Sequence, residues 1–233
     1  MDRSRTEYWK GHYDRLADRG SPWLDYSNAR VQAQTHALTL EAAGPLVGKS
    51  CLDFGCGRGQ LAACVSSLGA SPVTGVDFVD TMLQENAVKV PAVHWLAGGV
   101  EALPAPERFD IVFLIEVLQY LPFRETLREI WRHVSPGGRI VAVVPHKDCP
   151  IVQRAASRFG GYYLPLTVGE LAGWAGTEPG VAWWAARGFA FREDQTLAPY
   201  EATPWCREPV WSSPPNRLQF VAVRDGGGES GAP

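Results

Sequence analysis

The chain has 233 residues, 45% of them hydrophobic and 20% charged, with 22 basic against 25 acidic side chains and a net charge of −3. That length buries one substantial core. The charge balance leaves no basic excess to hold a polyanion, and no apolar run approaches the ~18 residues that cross a bilayer. Nucleic acid and membrane are therefore set aside as partners. The first thirty residues are polar and charged and lack the apolar stretch of an export signal. Cysteines at positions 51, 56, 64, 149 and 206 form no C-x-x-C pair. Neither a disulfide framework nor a zinc site is indicated, and a reducing, cytoplasmic setting is expected.

Residues 1–46 read as helical, best defined over Ala29–Ala43, where Val31, Ala37, Leu38 and Leu40 supply apolar positions. From Ser50 the pattern changes. Ser50–Phe54 is a short buried strand ending in a glycine cluster, and Gln60–Leu68 is a helix closed by Gly69. Pro72–Asp77 is a second strand, and Thr81–Lys89 a second helix capped by Thr81 or Asp80. Val93–Ala97 is a third strand. Phe109–Ile115 is a nearly continuous apolar run, as a strand covered on both faces requires. Arg124–Val134 is an amphipathic helix, after which Pro136-Gly137-Gly138 turns the chain into a fifth strand, Arg139–Val144. This alternation predicts right-handed crossovers and a mostly parallel sheet. Phe189–Leu197 and Arg217–Val223 are strand-like, separated by a Pro- and Trp-rich stretch. From Asp225 the chain is too polar and Gly-rich to pack, which predicts a disordered tail over 225–233.

The sharpest motif is Asp53-Phe54-Gly55-Cys56-Gly57-Arg58-Gly59, at the C-terminal end of the first strand. Glycines at alternate positions let the backbone turn tightly and let a ligand approach it. The helix that follows directs unsatisfied N–H groups into the same space. Ligands of open α/β sheets sit beyond the carboxyl ends of the strands. The spacing is G-x-G-x-G rather than the dinucleotide G-x-G-x-x-G, and the acid before it suits a ligand carrying an ammonium better than a pyrophosphate. Asp77 ends the second strand, where a carboxylate can accept both hydroxyls of a ribose.

D-x-G-x-G-x-G with Asp77 behind it resembles motif I of the class I SAM-dependent methyltransferases. Phe109-Asp110-Ile111-Val112 with Glu116 to Leu121 resembles the fourth-strand motif of the small-molecule branch, and Ser135 to Arg139 the turn before the fifth strand. The resemblance covers residues 50–145. It implies an α/β, Rossmann-like class I methyltransferase fold: a seven-stranded, mostly parallel sheet with helices on both faces and an N-terminal helical cap. One domain is then expected over 1–224, with cap helices in 1–46, a SAM-binding core in 47–145, and a substrate-side segment with the closing strands in 146–224.

The implied cofactor is S-adenosyl-L-methionine, held by Asp53, Gly55, Cys56, Gly57, Gly59, Asp77, Phe78, Gly99, Val100, Glu101 and Glu116. Phe78 would lie along the adenine. The family usually has Asp where Gly99 stands, so the adenine contact falls to backbone or to Glu101. Glu116 either binds or only orients nearby backbone. Relatives that bind a metal use E-x-x-E-H on this element. Here those places read Glu116, Gln119 and Tyr120, so no metal is expected.

Methyl transfer from a sulfonium is an in-line displacement that needs proximity and a dry site more than one powerful residue. The expected reaction is methylation of an O or N nucleophile on a small molecule by a monomer or homodimer. Aminopropyl transfer, cyclisation and a SAM-binding regulator are the alternatives. Tyr13, Trp23, Tyr26, Tyr120 and His146 are the expected acceptor-side residues. His146, at the end of the fifth strand, is read either as a general base or as a residue that packs against the following loop. Trp9, Trp23, Trp183, Trp184, Trp205 and Trp211 are placed outside the cofactor core, most as packing residues and two or three lining the acceptor pocket.

Overall fold

The computed structural model describes residues 3–18, 29–105, 107–189 and 202–227. Helices α1 (Arg3–Asp18) and α2 (Ala29–Ala43) precede β1 (Cys51–Phe54), α3 (Gln60–Ser67), β2 (Val73–Asp77), α4 (Asp80–Lys89), β3 (His94–Ala97) and β4 (Phe109–Ile115). Then come α5 (Phe123–Trp131), β5 (Val134–Pro145), α6 (Pro150–Ala156), α7 (Val168–Ala175), β6 (Val181–Phe189) and β7 (Arg217–Arg224). The strands form one seven-stranded sheet in the order β3-β2-β1-β4-β5-β7-β6. β1 to β5 run parallel, and β7 is antiparallel to both β5 and β6. This is a Rossmann-like α/β sheet of seven mostly parallel strands, as the sequence predicts.

Successive residues of the central strands feed two different cores, as the strand period of two requires. Leu52, Phe54, Val112, Leu114, Ile140 and Ala142 meet Leu127, Ile130, Leu171 and Trp174 of α5 and α7 on one face. Cys51, Ile111, Phe113 and Val141 meet Ala42, Ala43, Leu61, Ala62 and Val65 of α2 and α3 on the other. Helices thus cover both faces.

Four boundaries differ from the sequence expectation. The strand expected over Phe189–Leu197 is β6, Val181–Phe189, while residues 190–197 lie outside the described residues. Its alternation explains the shift: Trp183 packs into one core and Trp184 and Ala186 into the other. These two tryptophans are therefore sheet residues, not pocket walls. Next, Pro136-Gly137-Gly138 lies within β5, beside a register break between Phe109 and Ile111. A Cβ on Gly138 would meet the Asp110 carbonyl oxygen at 2.8 Å and that of Ser135 at 2.9 Å, so only glycine passes there.

Third, neither Thr81 nor Asp80 caps α4. Val79 holds that position without a side-chain bond, and Asp80 is already helical. Finally, Asp225, expected to open the tail, is tied to the sheet by its N–H, which donates to the Gly180 carbonyl at 2.8 Å; residues 228–233 lie outside the described residues. Helix α7 was not expected, although its capping box is written in the sequence. Thr167 accepts from the Glu170 N–H at 3.1 Å and Glu170 from the Thr167 N–H at 2.8 Å.

Candidate functional site

The parallel strands β1, β2, β4 and β5 end on one edge at Phe54, Asp77, Ile115 and Pro145. Antiparallel β7 starts there too, with Arg217 paired to Pro145. Chain order reverses between β1 and β4, so the crevice for a ligand opens at the glycine loop. Its three glycines have different neighbours. A Cβ on Gly55 would collide with Val117 at 2.5 Å, and one on Gly59 with Trp95 at 2.5 Å. Trp95 also fills the space over Gly75, again 2.5 Å from a would-be Cβ. Gly57, at φ 50°, has nothing within 4 Å. It is the glycine that faces the open side, where a ligand can lie against the main chain.

Carboxylates and an amide hold this loop. Asp77 accepts from the Gly57 N–H at 2.9 Å through one oxygen and from the Val79 N–H at 3.0 Å through the other. Each oxygen keeps a lone pair, the pair a ribose diol requires. Asn86, on α4, donates to the Gly57 carbonyl at 2.8 Å. Asp53 accepts from the Ala62 N–H at 3.1 Å in the first turn of α3. Burial, with the nearby Asp77 charge adding to it, pushes the Asp53 carboxyl up to about 7, while the helix amide pulls the other way. Burial raises Asp77 as well, against its backbone hydrogen bonds. Two buried carboxylates with only amide partners form a site that an ammonium-bearing ligand relieves. The open Gly57 and this charge together fit S-adenosylmethionine. Cys56 turns its thiol inward, 3.2 Å from where a Cβ of Gly75 would stand, and burial raises its pKa well above the ordinary thiol range. Its contribution to a ligand is therefore backbone shape.

Helix α1 closes the crevice from above. Lys10 donates to the Phe78 carbonyl at 2.6 Å and lies 3.7 Å from Asp80. The Tyr13 ring stands 6.3 Å from that of Phe78. On the far side, Glu101 folds back to accept from the Gly99 N–H at 2.9 Å. Of the two adenine contacts weighed, the Gly99 amide is thus already engaged by the Glu101 side chain. Val100 begins the short 3-10 turn Val100–Ala102 that follows, and packs against the core.

The acceptor side lies beyond β4. Glu116 is the non-glycine residue with positive φ (56°) among the described residues, an uncommon conformation for a side-chain-bearing residue. Its carboxylate is ion-paired to the Arg217 guanidinium and accepts from Gln119 Nε2 at 3.3 Å. Burial raises its pKa, with Arg217 opposing. Sequence reasoning named Glu116 and missed Arg217, which read only as the first residue of a late strand. Above the ion pair stand aromatic rings. Trp9 lies 4.5 Å from Tyr120 and 5.2 Å from Phe159, and Tyr120 is 5.8 Å from Tyr13 and 5.6 Å from Tyr163. The Tyr13 and Tyr120 hydroxyls are hydrogen-bond partners, and burial pushes both Tyr13 and Tyr163 upward. Trp9 is tied down by its indole N–H, which donates to the Tyr162 carbonyl at 2.8 Å. The structure thus brings Tyr13 and Tyr120 together. Trp23 and Tyr26 lie outside the described residues.

His146 is 3% exposed. Its Nδ1 donates to the Pro215 carbonyl at 3.2 Å, its ring meets Trp211 edge-on at 5.2 Å, and Nε2 stands 3.5 Å from Asp148. Burial lowers its pKa, so the ring is neutral at neutral pH. Arg187, 5% exposed, is a second long-range ion pair unseen in the sequence. It meets Glu41 at 3.1 and 3.3 Å and Gln219 at 2.7 Å, with its guanidinium 4.4 Å over the Trp205 ring.

Residues 52–142 match the family model described as a methyltransferase domain. Among curated relatives, a demethylmenaquinone methyltransferase of Lactococcus lactis is 34% identical over 156 residues, covering 61% of this chain and 62% of that protein. A ubiquinone biosynthesis O-methyltransferase of Pseudomonas putida is 33% identical over 113 residues, covering 43% and 46%. The chain thus spans about half to three-fifths of the length of these relatives. Among solved structures, a SAM-dependent methyltransferase of Thermotoga maritima, described as a possible histamine N-methyltransferase, superposes with a TM-score of 0.66. It is 16% identical, with 92% of this chain and 98% of that one covered, and it shows the shared fold.

Proposed function

We propose that the chain transfers a methyl group from S-adenosylmethionine to an O or N nucleophile of a small molecule, a reading supported by the match of residues 52–142 to the methyltransferase-domain family model. The observation that carries this is the glycine loop: Gly57 is open while Gly55 and Gly59 are filled by protein, and Asp77 presents two oxygens beside it. The relatives, named for demethylmenaquinone and ubiquinone biosynthesis, support a small-molecule acceptor. The bound cofactor supplies a methyl group already activated for in-line displacement. This chain's residues do the rest. Asp77 takes the ribose hydroxyls, Asp53 meets the amino acid end, and Phe78 lies along the adenine beside the Gly99–Glu101 turn. Tyr13, Tyr120 and Trp9 close the acceptor side and exclude water. His146, through Pro215 and Trp211, holds the segment before β7 in place rather than acting as a base.

The protein works in the cytoplasm, as a monomer or homodimer and without nucleic acid. Five free cysteines among the described residues support a reducing setting, and no described helix is long and apolar enough to cross a membrane. The test is a thermal scan with SAM, S-adenosylhomocysteine and NAD. At ~100 times the dissociation constant, either SAM species should stabilise the fold by ~2.7 kcal/mol. Stabilisation by NAD alone would overturn the reading.

A further inference from the structure

The glycine loop has one position that packing leaves unset. Gly55 and Gly59 are confined by the side chains of Val117 and Trp95, but no described atom lies within 4 Å of where a Gly57 Cβ would stand. A glycine with no neighbour to confine it has the widest choice of φ and ψ. This one stands at φ 50°, on the side where the cofactor is to lie. What fixes it is polar. Its N–H donates to Asp77 at 2.9 Å, and its carbonyl accepts from Asn86 Nδ2 at 2.8 Å. A carbonyl oxygen only accepts, so the atom of the Asn86 amide that faces it is the nitrogen.

These bonds belong to a closed circuit. The other Asp77 oxygen accepts from the Val79 N–H at 3.0 Å, and Val79 is the N-cap of α4, the helix that carries Asn86. Asp77, Gly57, Asn86 and the body of α4 thus form one ring joined by three hydrogen bonds. Two members of that ring, the Gly57 main chain and the Asp77 carboxylate, are the surfaces proposed for the cofactor. Asn86 is the third, and it is 2% exposed. A buried amide costs free energy until it is bonded, so packing alone would favour an apolar residue on this face of α4. The bond to Gly57 is what the amide adds. The Cys56 thiol, 4.0 Å from the same carbonyl, is a far weaker donor.

We infer that Asn86 is a positioning residue for the cofactor. By closing the ring it holds the Gly57 peptide and, through the Gly57 N–H, the Asp77 carboxylate in the binding arrangement before the ligand arrives. This rests on the proposed use of S-adenosylmethionine and adds to it a residue of α4 that lies outside the glycine motif. Preorganisation of this kind is read in affinity, since a loop left loose must be ordered as the ligand binds.

The experiment measures S-adenosylhomocysteine affinity by calorimetry on the full chain. Asn86→Leu, which fills the same space without a donor, should weaken binding about tenfold, the equivalent of one hydrogen bond. Leu83→Ala is the control, a buried side chain of the same helix that makes none of the three bonds. It should lower the melting midpoint and leave affinity within about twofold, as expected of a site outside the ring. A role in folding alone would move melting in both variants and affinity in neither. Binding by a folded Asn86→Leu within about twofold of wild type, or a loss in Leu83→Ala as large as in Asn86→Leu, overturns the inference. Where Asn86→Leu does not fold, the wild-type protein carries the test by NMR. The Asn86 side-chain amide protons should then resist solvent exchange in the free protein as well as in the complex, and rapid exchange in the free protein overturns the ring. Failure of the wild type to bind S-adenosylhomocysteine instead overturns the methyltransferase reading beneath it.

Discussion

The glycine loop and the β7 side of the same sheet edge both engage carboxylates, buried ones at the loop and the largely enclosed Glu116 with the exposed Glu41 at the β7 side, yet compensate them differently. At the loop, Asp53 and Asp77 accept from backbone N–H groups 9, 20 and 2 residues away along the chain. At the β7 side, Glu116 and Glu41 are met by Arg217 and Arg187, across 101 and 146 residues. Amide dipoles orient a carboxylate and leave its negative charge available. A guanidinium cancels it. The loop therefore remains an electrostatic receptor for a positively charged ligand, whereas the β7 side becomes a neutral, rigid platform. The difference also bears on assembly, because the second kind of contact forms only once the closing strands have docked.

The contrast is broken hardest at Arg217. Arg217→Met should cost ~3–5 kcal/mol, the usual consequence of removing one partner of a buried pair, read as a shift in denaturant midpoint. The deficit should depend on pH. Burial already raises the Glu116 pKa above its unfolded value, and loss of Arg217 raises it further. A carboxylate so raised folds readily while protonated and loses stability as pH climbs through its folded pKa. The gap between variant and wild type should therefore narrow in acid. A gap independent of pH would mean that the pair is not where the energy lies.

Asp77→Ala tests the loop side. Loss of two charge-assisted bonds to ribose hydroxyls should weaken S-adenosylhomocysteine binding by ~2–4 kcal/mol, measured by calorimetry. Because Asp77 also holds the Gly57 and Val79 amides, the fold should lose stability as well, which sequence reasoning does not anticipate. Calorimetry showing wild-type affinity would remove Asp77 from the cofactor site.

A finer comparison lies within the loop. Gly57→Ala should cost only the ~1–2 kcal/mol of a left-handed backbone carrying a Cβ, yet abolish cofactor binding. Gly59→Ala should cost a further ~1–3 kcal/mol for overpacking against Trp95. Paired melting and binding curves check both, and equal stabilities would refute the division of labour. The smallest effect is expected at His146. His146→Ala should lower stability by ~1 kcal/mol through loss of the bond to Pro215, while turnover keeps the wild-type shape of its pH profile. Loss of the acidic limb of that profile would restore the general-base role.

These regions differed in legibility for the same physical reason. Asp53, the three glycines and Asp77 were readable because they fall in a recognisable spacing at the ends of β1 and β2, although the side chains that fill the space at Gly55 and Gly59, Val117 and Trp95, lie far along the chain. The central strands were readable because burial on both faces leaves an apolar run such as Phe109–Ile115. Arg217 and Arg187 carry no local mark. Their meaning comes from β7 being inserted between β5 and β6, which no spacing reports. Trp183 and Trp184 misled because a pair of tryptophans beside glycines and prolines looks like a cap, whereas alternation through Ala185 and Ala186 made it a strand. Asn86 and Trp95 were also missed. Each acts on a glycine from an element that would have formed equally well without it.

The unequal glycines of the loop bear on how such a signature is inherited. Gly55 and Gly59 answer to Val117 and Trp95, so selection for a foldable chain alone would preserve them. No side chain fills the space beside Gly57, whose demands inside the protein are its positive φ and its backbone bonds to Asp77 and Asn86. A descendant freed from its cofactor would hold the outer two more tightly than the middle one, and Gly59, Gly75 and Trp95 would change only as a set. The middle position, not the motif as a whole, is therefore the one to consult when asking whether a sequence of this kind still catalyses or has become an empty scaffold.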